Sequence, residues 1–289
     1  MVFSMFYSGF VDEAGRSLDE QIKATKILGW NNIDMRFVGD KNLTDISDED
    51  FEKAYEVLTE EKITVPCFGS SIAHSGKDPR DEAQVEYSTN ALKRAIVRMK
   101  RLGTKMIRGM AFGAPDDMTD DGLDKLIVKR LTPMVRLCED AGVMYVCENC
   151  GGYSGKSYET IVRLVETIDS PLMKIVYDMG NTVESYNQTG KKPYKRQNAW
   201  ECYQAVKGHI EYVHIKDTRI DENGNRVRTF PGEGDADVKI IVEDLLKNGY
   251  DNGFSIEPHM KNGFDGYIEY GKRFEALANS VLEMLNRKS

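Results

Sequence analysis

The sequence predicts a single (β/α)8 barrel, an α/β fold, and three observations lead to this fold class. Eight short apolar segments of β type occur along the chain, and longer amphipathic segments separate them. The β-type segments start roughly 27 to 41 residues apart, which is the length of one strand–helix unit. Eight such units favour a closed barrel over an open doubly wound sheet, and about 250 residues suffice to build one. We therefore expect one barrel domain over residues 1–289.

The eight predicted strands are the apolar segments themselves, at residues 5–10, 32–37, 64–69, 105–110, 143–149, 174–180, 212–217 and 253–259. The longest interruption, residues 219–237, follows the seventh segment and contains Asn223-Gly224, a pair typical of hairpin turns. In a barrel this interruption would lie at the C-terminal ends of the strands, where active sites form.

The segments between the strands carry the start and stop signals of helices. Ser47 begins one helix, with Asp50 three positions later as in a capping box. Gly103 follows another amphipathic run at the position where glycine ends helices. Pro133 lies inside residues 119–142 and is expected to divide that helix into two pieces. The run at residues 268–288 is expected to be the closing helix.

Composition excludes several classes of protein. The chain has 47 acidic and 39 basic residues, so its net charge of -8 argues against a nucleic-acid partner, which needs a basic face. Five scattered cysteines do not indicate a disulfide framework. We find neither a convincing leader peptide nor an apolar run of about 18 residues that could span a membrane. These features predict a cytoplasmic protein without a membrane partner.

The ends of the last four predicted strands carry the chemistry. They present Glu148, Asp178, His214 and Glu257, with Lys216 two residues after the histidine. Side chains alternate along a strand, so each of these residues lies on the same face of its strand as the residue two positions earlier. If these faces point into the barrel, the four side chains meet at its mouth. A single carboxylate at a strand end is more often a helix cap or an ion-pair partner than a ligand. Four such residues on consecutive strands are much harder to explain in that way.

Three carboxylates that meet at the mouth of a barrel repel one another unless a cation holds them. An oxygen-rich set with one imidazole suits Mn²⁺, Mg²⁺ or Co²⁺ better than a structural Zn²⁺. The sequence therefore predicts one divalent ion, with Mn²⁺ as the first choice and Mg²⁺, Co²⁺ or Zn²⁺ as alternatives, bound by Glu148, Asp178, His214 and Glu257.

These residues lie in stretches that resemble the xylose isomerase-like TIM barrels of the sugar phosphate isomerase/epimerase superfamily. The stretches are CENCGG at 147–152, YDMGN at 177–181, YVHIKD at 212–217, FPGEGDAD at 230–237 and FSIEPH at 254–259. The resemblance covers essentially the whole chain. It implies a metal-dependent enzyme that acts on a carbohydrate, and a homodimer or homotetramer, since relatives often form these.

The resemblance to the ketose 3-epimerases also implies roles for single residues. The same four side chains bind the metal, and Glu148 and Glu257 exchange the substrate proton. Lys216 and Arg219 would face substrate oxygens. Two positions depart from the pattern: Asn181 stands where the 3-epimerases have a histidine three residues after the aspartate. Cys150 stands where many relatives have a histidine after Glu-Asn. Asn181 is counted among the substrate-binding candidates.

Three further side chains are substrate-binding candidates. Arg108 at the end of the fourth strand could bind a substrate oxygen or a phosphate, or form a salt bridge. His74 and His259 follow predicted strands, although a lone histidine is more often structural. Glu233 could support the metal site or be a plain loop carboxylate. The CxxC at 147–150 puts its cysteines on opposite faces, so we expect Cys147 in the core and Cys150 beside the site.

The predicted ligand set serves several reactions. A metal that binds a carbonyl and a neighbouring hydroxyl makes the adjacent C–H acidic. If the proton returns to the opposite face of the same carbon, the substrate is epimerised, and if it returns to the neighbouring carbon, an aldose and a ketose are interconverted. If a β-hydroxyl leaves instead, the substrate is dehydrated. Our main hypothesis is a metal-dependent isomerase or epimerase that forms an enediolate from a ketose or keto-sugar. The alternative is a lyase on the same scaffold: a keto-inositol or dehydroshikimate-type dehydratase, or an enzyme that cleaves 3-keto glycosides. An abasic-site endonuclease and a non-catalytic sugar-binding protein are weaker alternatives.

Overall fold

A computed structural model describes residues 5–288 of the chain. Residues 1–4, which belong to the segment considered as a leader peptide, and residue 289 lie outside the described part. The strands are β1 (Phe6–Gly9), β2 (Phe37–Val38), β3 (Lys41–Asn42), β4 (Cys67–Gly69), β5 (Met106–Gly109), β6 (Met144–Glu148), β7 (Met173–Asp178), β8 (Ile210–Ile215), β9 (Asp217–Ile220), β10 (Arg226–Thr229) and β11 (Gly253–Ile256).

The central sheet confirms the predicted barrel architecture. Seven parallel strands are hydrogen-bonded in the order β1-β11-β8-β7-β6-β5-β4. The predicted second strand, 32–37, is not a regular strand: its residues 32–35 lie between β1 and β4 and touch both. The Asp34 amide donates to the Gly9 carbonyl at 3.0 Å, and the Gly69 amide donates to the Met35 carbonyl at 2.8 Å. This irregular segment therefore completes the ring of eight.

Pro66 accounts for the irregularity of that second segment. Isolated parallel bridges join Asn32 to Thr64 and Met35 to Phe68, on either side of the proline. Proline has no amide hydrogen and cannot donate to a ladder. The pairing is therefore interrupted, and β4 begins only at Cys67. After the bridges the chain forms a small antiparallel hairpin, β2–β3, at the mouth of the barrel.

The helices are α1 (Leu18–Ile27), α2 (Asp48–Glu60), α3 (Glu82–Leu102), α4 (Asp120–Ala141), α5 (Tyr158–Ile168), α6 (Met179–Glu184), α7 (Ala199–Val206), α8 (Val238–Lys247) and α9 (Gly263–Lys288). Ser47 caps α2 as predicted, because its hydroxyl accepts the Asp50 amide at 3.0 Å. Gly103 ends α3 with φ of 76°, a left-handed conformation that suits glycine.

The predicted break at Pro133 is wrong, because α4 continues from Asp120 to Ala141. Leu131 and Met134, on either side of the proline, are fully buried, so both halves of the helix pack on the same core. The Thr132 hydroxyl donates to the Val128 carbonyl at 2.7 Å, which supports the turn next to the proline. Tertiary packing thus outweighs the local preference of proline to end a helix.

The long segment after β8 is the predicted hairpin. Strands β9 and β10 pair in antiparallel fashion, and Gly224 lies in their turn with φ of 80°. No described helix has the length and apolarity needed to cross a membrane.

Side-chain alternation divides the barrel interior into layers. Val146, Val176 and Tyr212 form a buried apolar cluster with Cys67 and Met106. The first three lie two residues before Glu148, Asp178 and His214, so the polar side chains follow directly above them on the inner faces. The apolar layer fills the barrel below the mouth and places the polar groups at its C-terminal end.

Candidate metal centre

Four buried side chains converge at the C-terminal ends of the barrel strands. Each of Glu148, Asp178, His214 and Glu257 offers one ligand atom, and these atoms all lie within 4.8 Å of one another. Glu148 and Asp178 are the last residues of β6 and β7, His214 is in β8, and Glu257 follows β11 directly. All four side chains are at most 5% exposed. The structure thus brings together the residues proposed from the strand ends.

His214 lies between the two glutamates. Its Nδ1 is 3.7 Å from Glu148 Oε1 and 3.6 Å from Glu257 Oε2. The ring of Phe10 packs against it edge to face, with centroids 4.9 Å apart. Burial lowers the pKa of the imidazole, but the two glutamates outweigh burial and raise the pKa to about 9. His214 therefore faces the carboxylates of both Glu148 and Glu257.

Glu148 is held through both carboxylate oxygens. Arg108 Nε lies 2.9 Å from Oε2, and Asn181 Nδ2 donates to Oε1 at 3.1 Å. Arg108 is itself fixed, because its Nη1 donates to the Ser70 carbonyl at 2.6 Å. Burial acts to raise the pKa of Glu148, but Arg108 and His214 overcome it and hold the pKa at about 2. The carboxylate is therefore ionised.

Asp178 combines a structural contact with a contact inside the cluster. Its Oδ1 caps α6 by accepting the Asn181 amide at 2.8 Å, while its Oδ2 lies 2.8 Å from Lys216 Nζ. The side-chain amide of Asn149 bridges to the Asp178 backbone, with bonds of 2.9 and 2.7 Å. Burial raises the pKa of Asp178 to about 6, although Lys216 opposes the shift.

Glu257 also contacts two cations, one at each oxygen. Arg36 Nη1 is 3.0 Å from Oε1, and Lys216 Nζ is 3.3 Å from Oε2. Burial acts to raise the pKa of Glu257, but Lys216, His214 and Arg36 hold it well below its usual range. Lys216 is 3% exposed, and its two carboxylate partners keep its pKa above the ordinary value despite burial.

The donor set fits a divalent cation. Neither ring nitrogen of His214 has a hydrogen-bond partner among the described residues, and a buried imidazole without partners is costly. Three carboxylates and one imidazole are suitable ligands for Mn²⁺, Mg²⁺, Co²⁺ or Zn²⁺. Glu148, Asp178, His214 and Glu257 could therefore hold such an ion.

Four of the six substrate-binding candidates touch this cluster, three of them from buried or half-buried positions. Lys216 contacts Asp178 and Glu257, Asn181 contacts Glu148, and Arg108 forms the salt bridge that the sequence left open as its alternative role. Each of these contacts is with a protein carboxylate.

The other three candidates are exposed, and of these only His259 reaches the cluster. The exposed His259 contacts Glu13 Oε1 through Nδ1 at 2.9 Å and Glu257 Oε1 through Nε2 at 3.5 Å. His74 is also exposed, and its Nδ1 accepts the Gly76 amide at 3.0 Å. Arg219 is exposed on β9 and forms no hydrogen bond or ion pair with any described residue. The structure does not bring Arg219 to the cluster, because its side chain is on the solvent side of the hairpin.

The positions of the CxxC cysteines and of Glu233 in the structure decide between the roles that the sequence left open for them. Cys147 is fully buried, whereas Cys150 is half-buried beside the cluster, where the charge of Glu148 and then burial raise its pKa to about 12. Glu233 pairs with Arg273 Nη1 at 2.8 Å on the surface, so it is a loop carboxylate.

The strand-end analysis singled out no residue at the ends of the first two predicted strands, and it therefore missed several residues of the site. Arg36 lies at the end of the second predicted strand, and the same reasoning applied there would have found it. Phe10, Asp12 and Glu13 follow β1 and contact Arg36. Asp12 and Glu13 lie in a short 3₁₀ turn, for which the sequence offers no clear signal.

A buried polar layer that includes Asp34 lies beside His214. Asp34 Oδ1 accepts hydrogen bonds from the Ser8 hydroxyl at 3.0 Å and the Tyr212 hydroxyl at 3.1 Å. Ser8 and Ser255 are paired in register, and Ser255 is paired with His214. Burial raises the pKa of Asp34. Through Tyr212, this polar layer is also in contact with the apolar layer below.

Comparison with known proteins identifies the family. The sequence model of the xylose isomerase-like TIM barrel family matches residues 22–286, and the chain belongs to this family.

Curated relatives are about a quarter identical to this chain over about half of their length. An inosose dehydratase from Clostridium beijerinckii is 25% identical over 163 residues, which cover 52% of this chain and 51% of the relative. An inosose dehydratase from Geobacillus thermodenitrificans is 28% identical over 160 residues, half of each chain. The chain thus spans about half the length of the curated relatives it matches.

Solved structures match over nearly the whole chain. A xylose isomerase-like TIM barrel protein from Mycobacterium smegmatis in complex with magnesium has a TM-score of 0.74 at 17% identity, covering 97% of this chain and 98% of that one. An L-ribulose 3-epimerase has a TM-score of 0.72 at 16% identity, covering 100% and 97%. The IOLI protein with a bound zinc atom has a TM-score of 0.72 at 19% identity, covering 97% and 98%. At these identities the matches establish the fold.

Proposed function

We propose that this protein is a divalent-metal-dependent lyase that removes water from a neutral keto-polyol of the inosose type. The observation that carries the proposal is the buried cluster of three carboxylates and one imidazole at the barrel mouth. The curated relatives described above are inosose dehydratases, which favours dehydration over the isomerase or epimerase hypothesis.

The charges around the cluster favour a neutral substrate. Arg36, Arg108 and Lys216 are the described arginine and lysine residues in contact with its carboxylates, and each is already paired with at least one of them. A substrate carboxylate or phosphate would therefore have to compete with the protein's own carboxylates for these cations. This argument supports a ketone that bears only hydroxyl groups over a dehydroshikimate-like acid or a sugar phosphate.

The two glutamates have different neighbours, and this difference suggests their roles. Glu148 Oε1 contacts Asn181 and His214 but no lysine or arginine, so Glu148 is the better candidate to accept the proton from the carbon next to the ketone. Glu257 Oε2 lies beside the ammonium of Lys216, which can donate to the departing β-hydroxyl. A divalent ion held by the four ligands would polarise the ketone and stabilise the negative charge that develops there.

The proposed reaction is balanced in atoms and charge. The C–H bond breaks and its proton passes to Glu148, while the C–O bond of the β-hydroxyl breaks. The hydroxyl takes a proton from Lys216 and leaves as water, and the proton on Glu148 returns to Lys216 through solvent. The products are an enone and one molecule of water, and no oxidant or reductant is needed.

The test is to incubate the Mn²⁺-loaded protein with an inosose, a panel of ketoses and 3-dehydroshikimate. We expect a new enone absorption with the inosose. With 3-dehydroshikimate, which is already an enone and would become aromatic on dehydration, we expect no change in the ultraviolet spectrum. Glu148→Gln and Glu257→Gln should abolish the signal. Glu233→Gln, which removes one charge from an exposed loop, should leave it unchanged. Absence of any enone from the inosose would refute the dehydratase.

A ketose epimerase is the second candidate function. Glu148 Oε1 and Glu257 Oε2 lie at similar distances from His214, so two carboxylates face a common centre, as proton exchange on two faces requires. Deuterium incorporation at the carbon beside the ketone of a ketose in D2O, without enone formation, would support this function instead.

A further inference from the structure

Each of the two glutamates of the cluster is paired with an arginine, through a hydrogen bond in Glu257 and through an ion pair without hydrogen-bond geometry in Glu148. Arg36 contacts Glu257 Oε1 at 3.0 Å, and Arg108 contacts Glu148 Oε2 at 2.9 Å. In each glutamate the other oxygen faces His214, at 3.6 Å for Glu257 and 3.7 Å for Glu148. Each carboxylate therefore has one oxygen on an arginine and one oxygen directed to the centre.

Arg36 is rigidly fixed. Its Nε and Nη2 donate to the two oxygens of Asp12 at 3.1 and 3.0 Å, and its Nη2 also reaches Glu13 Oε1 at 3.2 Å. A paired contact of this kind fixes the plane of the guanidinium group. The side chain is only 13% exposed. Arg36 thus has little freedom to follow a movement of Glu257.

Phe10 connects the two arginines. The guanidinium carbon of Arg36 lies 4.3 Å from the centre of its ring, and that of Arg108 lies 5.0 Å from it. The same ring packs on His214. One aromatic side chain therefore sets the spacing between both arginines and the imidazole.

We propose that Arg36 is a positioning residue that holds Oε1 of Glu257, so that only Oε2 is presented to the metal ion and the substrate. Arg108 does the same for Glu148. The inference rests on the proposed function in one respect, namely that the cluster binds a divalent ion. A carboxylate can bind a metal through one or both oxygens. Restricting each glutamate to one oxygen leaves coordination positions open for the ketone and a neighbouring hydroxyl of the substrate.

A role of Arg36 through its charge and a role in positioning Glu257 predict opposite effects of its substitution on metal affinity. If the arginine acted only through its positive charge, it would repel a divalent ion, and its removal would tighten metal binding. If it positions Glu257, its loss weakens metal binding. Arg36→Lys keeps the charge but cannot reproduce the planar contacts with Asp12 and Glu257, so it isolates the positional effect.

The experiment is titration of the purified protein with Co²⁺, followed by the visible absorption of the bound ion. We expect Arg36→Lys and Arg36→Met to bind Co²⁺ about 10 to 100 times more weakly than the unmodified protein, with an altered absorption spectrum. Arg16→Lys is the matched control, because Arg16 contacts the same Asp12 at 3.3 Å but is 57% exposed and does not touch Glu257. It should bind Co²⁺ normally.

The outcomes separate this inference from the proposed function. Unchanged affinity and spectrum in Arg36→Lys, or tighter binding in Arg36→Met, would overturn the positioning role. Circular dichroism and urea unfolding establish that each variant is folded, and if Arg36→Met does not fold, Arg36→Lys alone decides. Failure of the unmodified protein to bind any Co²⁺ would instead overturn the metal site on which the proposed function depends.

Discussion

At the scale of single residues, the site depends on which oxygen of each carboxylate faces which cation. Asp178 divides its two oxygens between the cap of α6 and Lys216, and the two glutamates divide theirs between an arginine and the centre. Asp178 can thus cap a helix with one carboxylate oxygen and still offer the other oxygen to a metal ion.

Removing either of two ligands should abolish metal binding. We expect Glu148→Gln and Asp178→Asn to reduce the affinity for Mn²⁺ by about 100-fold or more, because changes outside the ligand set alone typically cost 10- to 100-fold. Metal content per chain, measured by mass spectrometry after dialysis, checks this. Glu233→Gln is the control for charge removal, and one ion retained per chain in both ligand variants would contradict the assignment.

Lys216 should have the opposite effect on metal affinity. Its ammonium lies 2.8 Å from Asp178 Oδ2 and 3.3 Å from Glu257 Oε2, so it competes with a divalent ion for the same oxygens. We expect Lys216→Met to bind Mn²⁺ at least about tenfold more tightly, because two buried carboxylates lose their cation. Turnover should fall in the same variant, since the donor to the departing hydroxyl is gone. Calorimetric titration measures the affinity, and weaker binding would disprove the competition.

At the scale of elements, Asp217 organises the loop that follows the β9–β10 hairpin. Its carboxylate accepts the backbone amides of Thr218, Gly232, Gly234 and Ala236 at 2.8 to 3.1 Å. A Cβ added at Gly234 would lie 2.2 Å from Asp217 Oδ1, so only glycine allows this close approach. The resemblance in the HIKD and GEGD stretches therefore has a structural basis in one carboxylate and the loop that wraps it.

Asp217→Asn should loosen this loop. Each carboxylate oxygen accepts two of the four amides, and an amide side chain keeps only one acceptor oxygen, so two bonds are lost. Hydrogen bonds to a charged group are each worth about 1.5–3 kcal/mol. We expect the free energy of unfolding to fall by about 3 kcal/mol, with faster hydrogen exchange at residues 232, 234 and 236. Asp235→Asn is the control, because it affects a single exposed hydrogen bond, from the Ile220 amide. It should change the free energy of unfolding by less than about 1 kcal/mol.

Pro133 offers a test in the opposite direction. It is exposed within α4, where its ring and missing amide weaken the helix. We expect Pro133→Ala to raise the free energy of unfolding by about 2 kcal/mol, somewhat less than the full helix-propensity difference because the unfolded chain gains entropy. Urea unfolding measures this, with Lys129→Ala on the same helix expected to stay within about 0.5 kcal/mol. A destabilised Pro133→Ala would contradict the reasoning.

At the scale of the whole molecule, the cluster and its contacts join the first and last strands of the barrel. Arg36 in the irregular segment between β1 and β4 contacts Glu257 after β11, and His214 in β8 lies between residues of β6 and β11. A cation that binds four strands at once should therefore stabilise the closed ring.

Metal should raise the thermal stability of the protein. At a free concentration of about 100 times Kd, binding to the folded state alone adds about 2.7 kcal/mol to the free energy of unfolding. We expect a higher Tm with Mn²⁺ than with a chelator, measured by calorimetry. The Glu148→Gln variant should show no such difference, and an equal gain in that variant would place the stabilising ion elsewhere.

The sequence by itself determined the barrel, its strand order of appearance and the four residues of the cluster. It could do so because strand alternation and strand ends are local properties, and parallel strands in a barrel necessarily end at the same face. It also located the hairpin after β8 and the caps of α2 and α3, since these depend on a few adjacent residues.

Only the tertiary structure decided the rest, because the remaining features depend on residues far apart in the chain. Packing on both sides of Pro133 keeps α4 continuous, and Pro66 interrupts the ladder of a segment about 30 residues earlier. The pairing of Arg36 with Glu257 joins residues 221 positions apart, and no local pattern encodes such a contact. The four residues of the cluster can thus be identified from the sequence, whereas the contacts that orient them arise only when the barrel closes.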